Sequence, residues 1–323
     1  MTQPPLGAHV RTLARGPGRS RSLTRDEAEH AMQLMLSGDA DPHAIGALLM
    51  LMRMKGETAD EIAGFASSAQ GAMPGVPQPA LDWPSYAAGR TRGLPWFLLA
   101  ARLVAGAGHP VLLHGWNGAD AAVRSGLAPM SIPVADGPDD AARLMQARGI
   151  VYLPLERMSP ALFALLRLRE VLHLRSCVNT VCRVLNPGRA DCSVQGVFHP
   201  PYRLLQQDAG QILGLRALTV IKGGGGEFER HPAKAIEGFG LRDGTAWDET
   251  IPPLRPEDTR RLNDGETDPA RLGAVWNGSL RDDFAEATVI GTAALALSTL
   301  GEQAPGEAAR ALWAERGAIN AAR

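Results

Sequence analysis

From about residue 80 onward the chain alternates short apolar runs with longer amphipathic ones, and this alternation limits the possible folds more than any other feature. Residues 111–114, 131–134, 150–153, 194–198 and 218–221 are mainly apolar runs, too short for helices and apolar on both faces. Helical periodicity fills the stretches between them, for example 96–105, 138–148 and 204–213. Strands separated by helices argue a mainly parallel sheet covered on both faces, whose ligands sit at the carboxyl ends of the strands. The stretch 81–115 reads strand, loop, helix, strand, and two more helices are expected at 283–300 and 304–322.

The chain opens differently. Thr24-Arg25-Asp26-Glu27 and Thr58-Ala59-Asp60-Glu61 have the form of capping boxes, and Asp41-Pro42 places a cap before a proline at a first helical position. Three short helices follow, with Ala31, Met32, Met35, Ile45, Leu48, Leu49, Ile62 and Phe65 facing inward. The run 50–54, Met-Leu-Met-Arg-Met, reads as core. A Gly- and Pro-rich linker covers 71–79. The division is an Arg-rich segment over 1–23, a helical domain over 24–73 and an α/β domain over 80–323.

A length of 323 residues suffices for two domains, and a net charge of −1 selects neither nucleic acid nor membrane as a partner. Distribution says more than the sum. Residues 1–25 hold Arg11, Arg15, Arg19, Arg21 and Arg25 without a carboxylate, whereas 243–268 is rich in Asp and Glu. Lysine occurs only as Lys55, Lys222 and Lys234, a bias that coding composition alone can produce. Cys177, Cys182 and Cys192 are odd in number and lack C-x-x-C spacing, which suits neither a disulfide framework nor a zinc site. A reduced, cytoplasmic setting is expected. No apolar run reaches the roughly 18 residues of a membrane span.

The loop before the helix at 96–105 is Ala87-Ala88-Gly89-Arg90-Thr91-Arg92-Gly93-Leu94-Pro95-Trp96. A phosphate cradle at a helix start needs several small residues, so that backbone amides can reach the oxygens. Here Arg90, Arg92 and Trp96 fill that space.

Residues 172–187, Leu-His-Leu-Arg-Ser-Cys-Val-Asn-Thr-Val-Cys-Arg-Val-Leu-Asn-Pro, are followed by Gly196-Val197-Phe198-His199-Pro200. This resembles the anthranilate phosphoribosyltransferases and thymidine-type phosphorylases, the family 3 glycosyl transferases. Their helix reads L-G-x-R-T-x-F-N-x-L-G-P-L-x-N-P before a G-V-x-H-P strand, and Arg175, Asn179, Asn186 and Pro187 match by identity. The likeness extends from about residue 22 to about 315. It implies a small helical domain completed by helices around 160–187, a nucleoside phosphorylase/phosphoribosyltransferase-like α/β domain, and a homodimer formed through the helical domain.

The family's catalytic motifs are altered here. Its G-T-G-G-D loop and N-x-S-T helix start, which hold phosphoribosyl pyrophosphate, correspond to Arg90-Thr91-Arg92-Gly93 and Pro95-Trp96-Phe97-Leu98. Its H-G-N-R has become His114-Gly115-Trp116-Asn117, and its magnesium-binding D-E pair falls on Phe228-Glu229. Glu229 alone is a poor anchor for a metal that prefers an octahedron of oxygens. No cofactor is therefore expected, with magnesium needed only if transfer persists.

Lys222 to Lys234 instead form a glycine-rich loop with cationic groups at both ends, similar to the degenerate YbiB-type branch, whose members bind DNA as dimers. On that resemblance Arg90, Arg92, Lys222, Arg230, His231 and Lys234 lie at the carboxyl edge of the sheet, with Arg167, Arg169, Arg175 and Arg183 on the helical segment beside it. Such a set suits the backbone of DNA or RNA. A flexible crossover and a solvated helix face are the plain alternatives for the loop and for Arg167, Arg169 and Arg183. His114 and His199 end strands and read as structural, and Trp83 and Trp96 read as core rather than base-stacking. Two other functions stay open: a phosphoribosyltransferase with an altered donor site, in which His114, Gly115, Arg175 and Asn179 are the family's acceptor and donor positions, and a purely structural role.

Overall fold

The computed structural model describes residues 5–16, 18–86, 93–117 and 121–321. It opens with α1 (Gly7–Ala14), α2 (Arg25–Ser37), α3 (Pro42–Lys55) and α4 (Ala59–Gly71). The last three start at the expected caps. Thr24 with Glu27 and Thr58 with Glu61 form reciprocal boxes, and Asp41 accepts from the amides of His43 and Ala44. Glu61 is fully buried because it is fully used, accepting also from Leu23 N and Lys55 Nζ, each at 2.8 Å. The inward-facing residues named from sequence are buried, Ile45 only partly. Met52 is core, but Met54 is 86% exposed, so the methionine run is only half interior. Within the Arg-rich segment, α1 forms because Leu6, Val10 and Leu13 share one face and dock against this helical unit.

Next come β1 (Leu81–Ser85), α5 (Phe97–Gly106), β2 (Val111–Gly115), α6 (Ala122–Leu127), α7 (Pro138–Arg148), β3 (Ile150–Pro154), α8 (Leu155–Met158), α9 (Pro160–Leu172) and α10 (Val178–Val184). The remainder is β4 (Cys192–Val197), α11 (Tyr202–Ile212), β5 (Ala217–Lys222), β6 (Ile236–Arg242), β7 (Thr245–Ile251), α12 (Ala270–Asn277), α13 (Asp283–Thr299), α14 (Pro305–Ala314) and α15 (Arg316–Ala321). The architecture is a small N-terminal helical domain with a large α/β domain, and α9, α10 and α11 pack against α2 and α4.

Among the described residues seven strands form one sheet, ordered β3-β2-β1-β4-β5-β6-β7. The strands β1 to β5 are parallel, and β6 and β7 are added antiparallel. Chain order reverses between β1 and β4, whose pairing covers only Leu81↔Cys192 and Asp82↔Ser193. No register pair joins them beyond that point, and this topological switch point is where a sheet of this kind places its ligand crevice.

Residues 131–134 do not form the expected strand; they contribute a single bridge, Val134 to Tyr152. Pro133 cannot donate to a ladder, and Ser131 takes a left-handed conformation with φ 53°. The hairpin β6–β7 is not among the elements expected from sequence; it turns at Asp243-Gly244, both at positive φ. Among the described residues no helix is long and apolar enough to cross a membrane.

Candidate functional site

Three strands, β1, β2 and β4, run beneath this switch point, and Asp82 and Ser193 sit where β1 and β4 are still paired, near their amino ends. Their interior is a buried polar relay. Asp82 accepts from Ser193 Oγ at 2.7 Å, lies 3.0 Å from His114 Nε2, and His114 Nδ1 lies 2.9 Å from Tyr86 Oη. With the carboxylate on one side, Nε2 carries the hydrogen and Nδ1 accepts from the phenol. Burial holds the Tyr86 phenol well above its ordinary pKa, so it stays a neutral donor. His114 is fully buried, with one ring nitrogen against Asp82 and the other against Tyr86. Gly115 is required by packing, since a β-carbon there would collide with Ser85 O.

Glu229, the one carboxylate that falls on the family's metal-binding pair, points inward. Glu229 is buried, and its Oε2 accepts from Phe97 N, the first amide of α5, at 2.8 Å. A helix N-terminus attracts an anion, and here the chain supplies its own. Glu227, two residues earlier, is also buried, with Oε1 3.5 Å from Asn117 Nδ2, which in turn donates to Ser85 Oγ at 3.0 Å. Between the two glutamates Phe228 inserts into the core against Trp83, with ring centroids 5.5 Å apart. Among the described residues no group of three His, Cys, Asp or Glu side chains could hold a metal ion. The magnesium that the family implies is not matched by these residues.

Two clefts open around this interior. One, about 300 Å³, lies between the helical unit and the end of β4 and contains Arg53, Arg175, Asn179, Arg183, His199 and Tyr202 among its walls. Arg53 donates to Arg175 O at 2.7 Å, Arg183 to Tyr86 O at 2.9 Å, and Tyr202 to Glu57 at 3.2 Å. Burial beside that carboxylate pushes the Tyr202 phenol up to about 12. The other, about 420 Å³, lies beyond the end of β5 and includes Arg203, Lys222, His231, Lys234 and Arg261. Burial, with Lys234 nearby, lowers the His231 pKa, so the ring is neutral at pH 7.

The remaining sequence candidates separate by position. Arg230 is turned inside, donating to Pro252 O, with its guanidine buried against α13; this corrects its expected place at the edge. Position 230 follows Phe228 and Glu229 into the core, which one-dimensional charge spacing does not reveal. Arg167 is exposed and paired with Glu170 at 2.7 Å, and Arg169 lies over the Trp116 ring at 5.5 Å. Arg90 and Arg92 fall outside the described residues. Trp83 and Trp96 are core, as expected. Sequence reasoning overlooked Arg53, Arg203 and Arg261, which come from three separate segments and share no local motif. A larger cavity of about 710 Å³ between α12, α13 and α14 contains none of the residues singled out above.

The fold sets a helical unit beside a mainly parallel sheet, with two clefts near the ends of β4 and β5. The glycosyl transferase family, helical bundle domain, matches residues 9–72. The chain is 32% identical over 272 residues to an anthranilate phosphoribosyltransferase of Rhodopseudomonas palustris, spanning 80% of this chain and 79% of that one. It is 33% identical over 244 residues to one from Desulfitobacterium hafniense, spanning 74% and 72%. In three dimensions it resembles anthranilate phosphoribosyltransferase from Thermus thermophilus, with TM-score 0.80, 21% identity and coverage of 97% and 94%. The enzyme from Saccharomyces cerevisiae, solved in complex with PRPP and Mg, gives TM-score 0.79, 14% identity and coverage of 98% and 95%. The chain belongs to the anthranilate phosphoribosyltransferase-like proteins of glycosyl transferase family 3.

Proposed function

We propose that this chain binds the phosphate backbone of nucleic acid along the carboxyl edge of its sheet, as a member of the family with a degenerate donor site. One observation carries the reading: two cationic clefts adjoin there. Val197 and Lys222 are register partners at the ends of β4 and β5, and the consecutive residues Tyr202 and Arg203 line one cleft each. Guanidinium forks and ammonium groups spaced along such a lane contact successive phosphates without reading bases. The inward carboxylates and the bulky 87–96 sequence support a loss of transfer chemistry. Binding is then largely independent of sequence, steep in salt, and open to DNA and RNA alike. Pairing of two copies through the helical unit belongs to the same proposal, and Met54, Val171 and Leu174, exposed at the ends of α3 and α9, support it.

A second reading is phosphoribosyl transfer to an anthranilate-like acceptor, and kinship favours it. The relatives above carry that activity in their names, and Arg175 and Asn179, two of the identities to the family motif, line a cleft here. Fluorescence anisotropy with a mixed-sequence oligonucleotide, titrated across salt, tests the first; product formation from phosphoribosyl pyrophosphate, anthranilate and magnesium tests the second. Salt-steep binding without product supports nucleic-acid binding. Turnover without such binding overturns it.

A further inference from the structure

We propose that the 420 Å³ cleft beyond β5 is a phosphate oxyanion site, displaced from the helix start to the outer side of the glycine-rich turn. The displacement follows from Glu229. Its Oε2 occupies the first amide of α5, and its Oε1 abuts Gly224, where an added β-carbon would lie 2.9 Å from it. An external anion at that amide would have to share the helix N-terminus with a buried carboxylate.

On the far side of the turn the charge balance reverses. Lys222, Lys234 and Arg261 border the cleft, and among the described residues none is held in an ion pair. Arg203 is already pinned: it donates to Pro200 O at 3.2 Å and Glu237 O at 3.0 Å, with its guanidinium 4.8 Å from the Phe239 ring centre. A side chain fixed before binding loses little further freedom when an oxyanion arrives. Two carboxylates line the cleft and both are engaged, Glu229 with α5 and Glu237 with Thr250 Oγ1 at 2.8 Å. The volume exceeds that of a phosphate ion, which favours a phosphate carried on an organic chain.

The phosphate can come from a small phosphomonoester or from a nucleic-acid backbone, and only the second source rests on the function proposed above. The test uses the full chain, the double variant Lys222→Ala/Lys234→Ala, and Arg143→Ala as a control on α7, an exposed arginine paired with Asp140 outside both clefts. Both lysines are exposed, so the fold is expected to survive, and circular dichroism checks it. Backbone amide shifts at residues 223–225 are followed by NMR with inorganic phosphate and with a mixed-sequence oligonucleotide. The expected result is that phosphate moves these amides, that the double variant loses about tenfold or more in affinity, and that Arg143→Ala behaves as wild type. For the oligonucleotide, the slope of log K against log salt falls by about 2 in the double variant. If phosphate binds here and the oligonucleotide does not, the site stands and the polymer reading falls. If the oligonucleotide binds wild type and double variant equally without moving the turn, the site is overturned and the polymer reading stands. Failure of both probes to move the turn also overturns the site.

Discussion

Replacing Asp282 by Asn should loosen the segment that borders the phosphate cleft. Asp282 caps α13 by accepting from Ala285 N at 3.0 Å, and its two oxygens take Arg260 at 2.8 Å each and Arg271 at 2.8 Å. Arg260 also reaches Asp264, so one carboxylate ties residues 260–271 to the helix. The two guanidinium groups, as hydrogen-bond donors, outweigh the burial that opposes ionisation and hold the Asp282 carboxyl down at about 2, from an ordinary 3.8. That depression corresponds to at most about 2 kcal/mol, and partial exposure of the two arginines trims it to about 1–2 kcal/mol. Asparagine keeps the cap but removes the charge and leaves both arginines under-compensated, so the expected loss is about 2–3 kcal/mol. For a chain of this length that is about 3–5 °C in Tm. The folded-state pKa lies below the unfolded one, so this stabilisation is present above about pH 4 and disappears as pH falls toward 2. Differential scanning fluorimetry of both proteins from pH 7 down to pH 3 reads it. A Tm difference under about 1 °C at pH 7, or one that does not shrink on acidification, would refute the reasoning.

Substituting His114 by Ala should cost about 3 kcal/mol or more in urea unfolding, because it strands the buried Asp82 carboxylate; a loss under about 1 kcal/mol counts against the relay. All three thiols are buried, and burial pushes each pKa up, so an aromatic disulfide reagent should titrate none in native buffer and three in urea. Rapid native reaction of even one thiol contradicts that environment. Millimolar magnesium should shift Tm by less than about 1 °C, since Glu227 and Glu229 are turned to other partners; a clear stabilisation abolished by chelator would reinstate a metal site.

Local signals were enough for much of the fold. Capping residues Thr24, Asp41 and Thr58 mark three helix starts because a side-chain oxygen next to its own amides acts within a few residues. Apolar runs such as 150–153 declare buried strands because alternate faces must both be covered. The Arg175 and Asn179 signature likewise pointed to the family without any coordinates. Where competing local preferences met, as in 131–134 with its internal proline, the apolar run misled.

The site depended on tertiary structure. Arg230 and Lys222 look equivalent in the chain, yet one is driven into the core by the descent of Phe228 and the other ends a strand in solvent. Arg53 reaches one cleft, and Arg203 and Arg261 the other, from distant segments, so their placement is long-range geometry. That Glu229 would serve as the anion of α5, 132 residues away in sequence, was decided by the sheet bringing the two together. Electrostatic attraction acts through space, and the amino-acid order alone leaves those distances open.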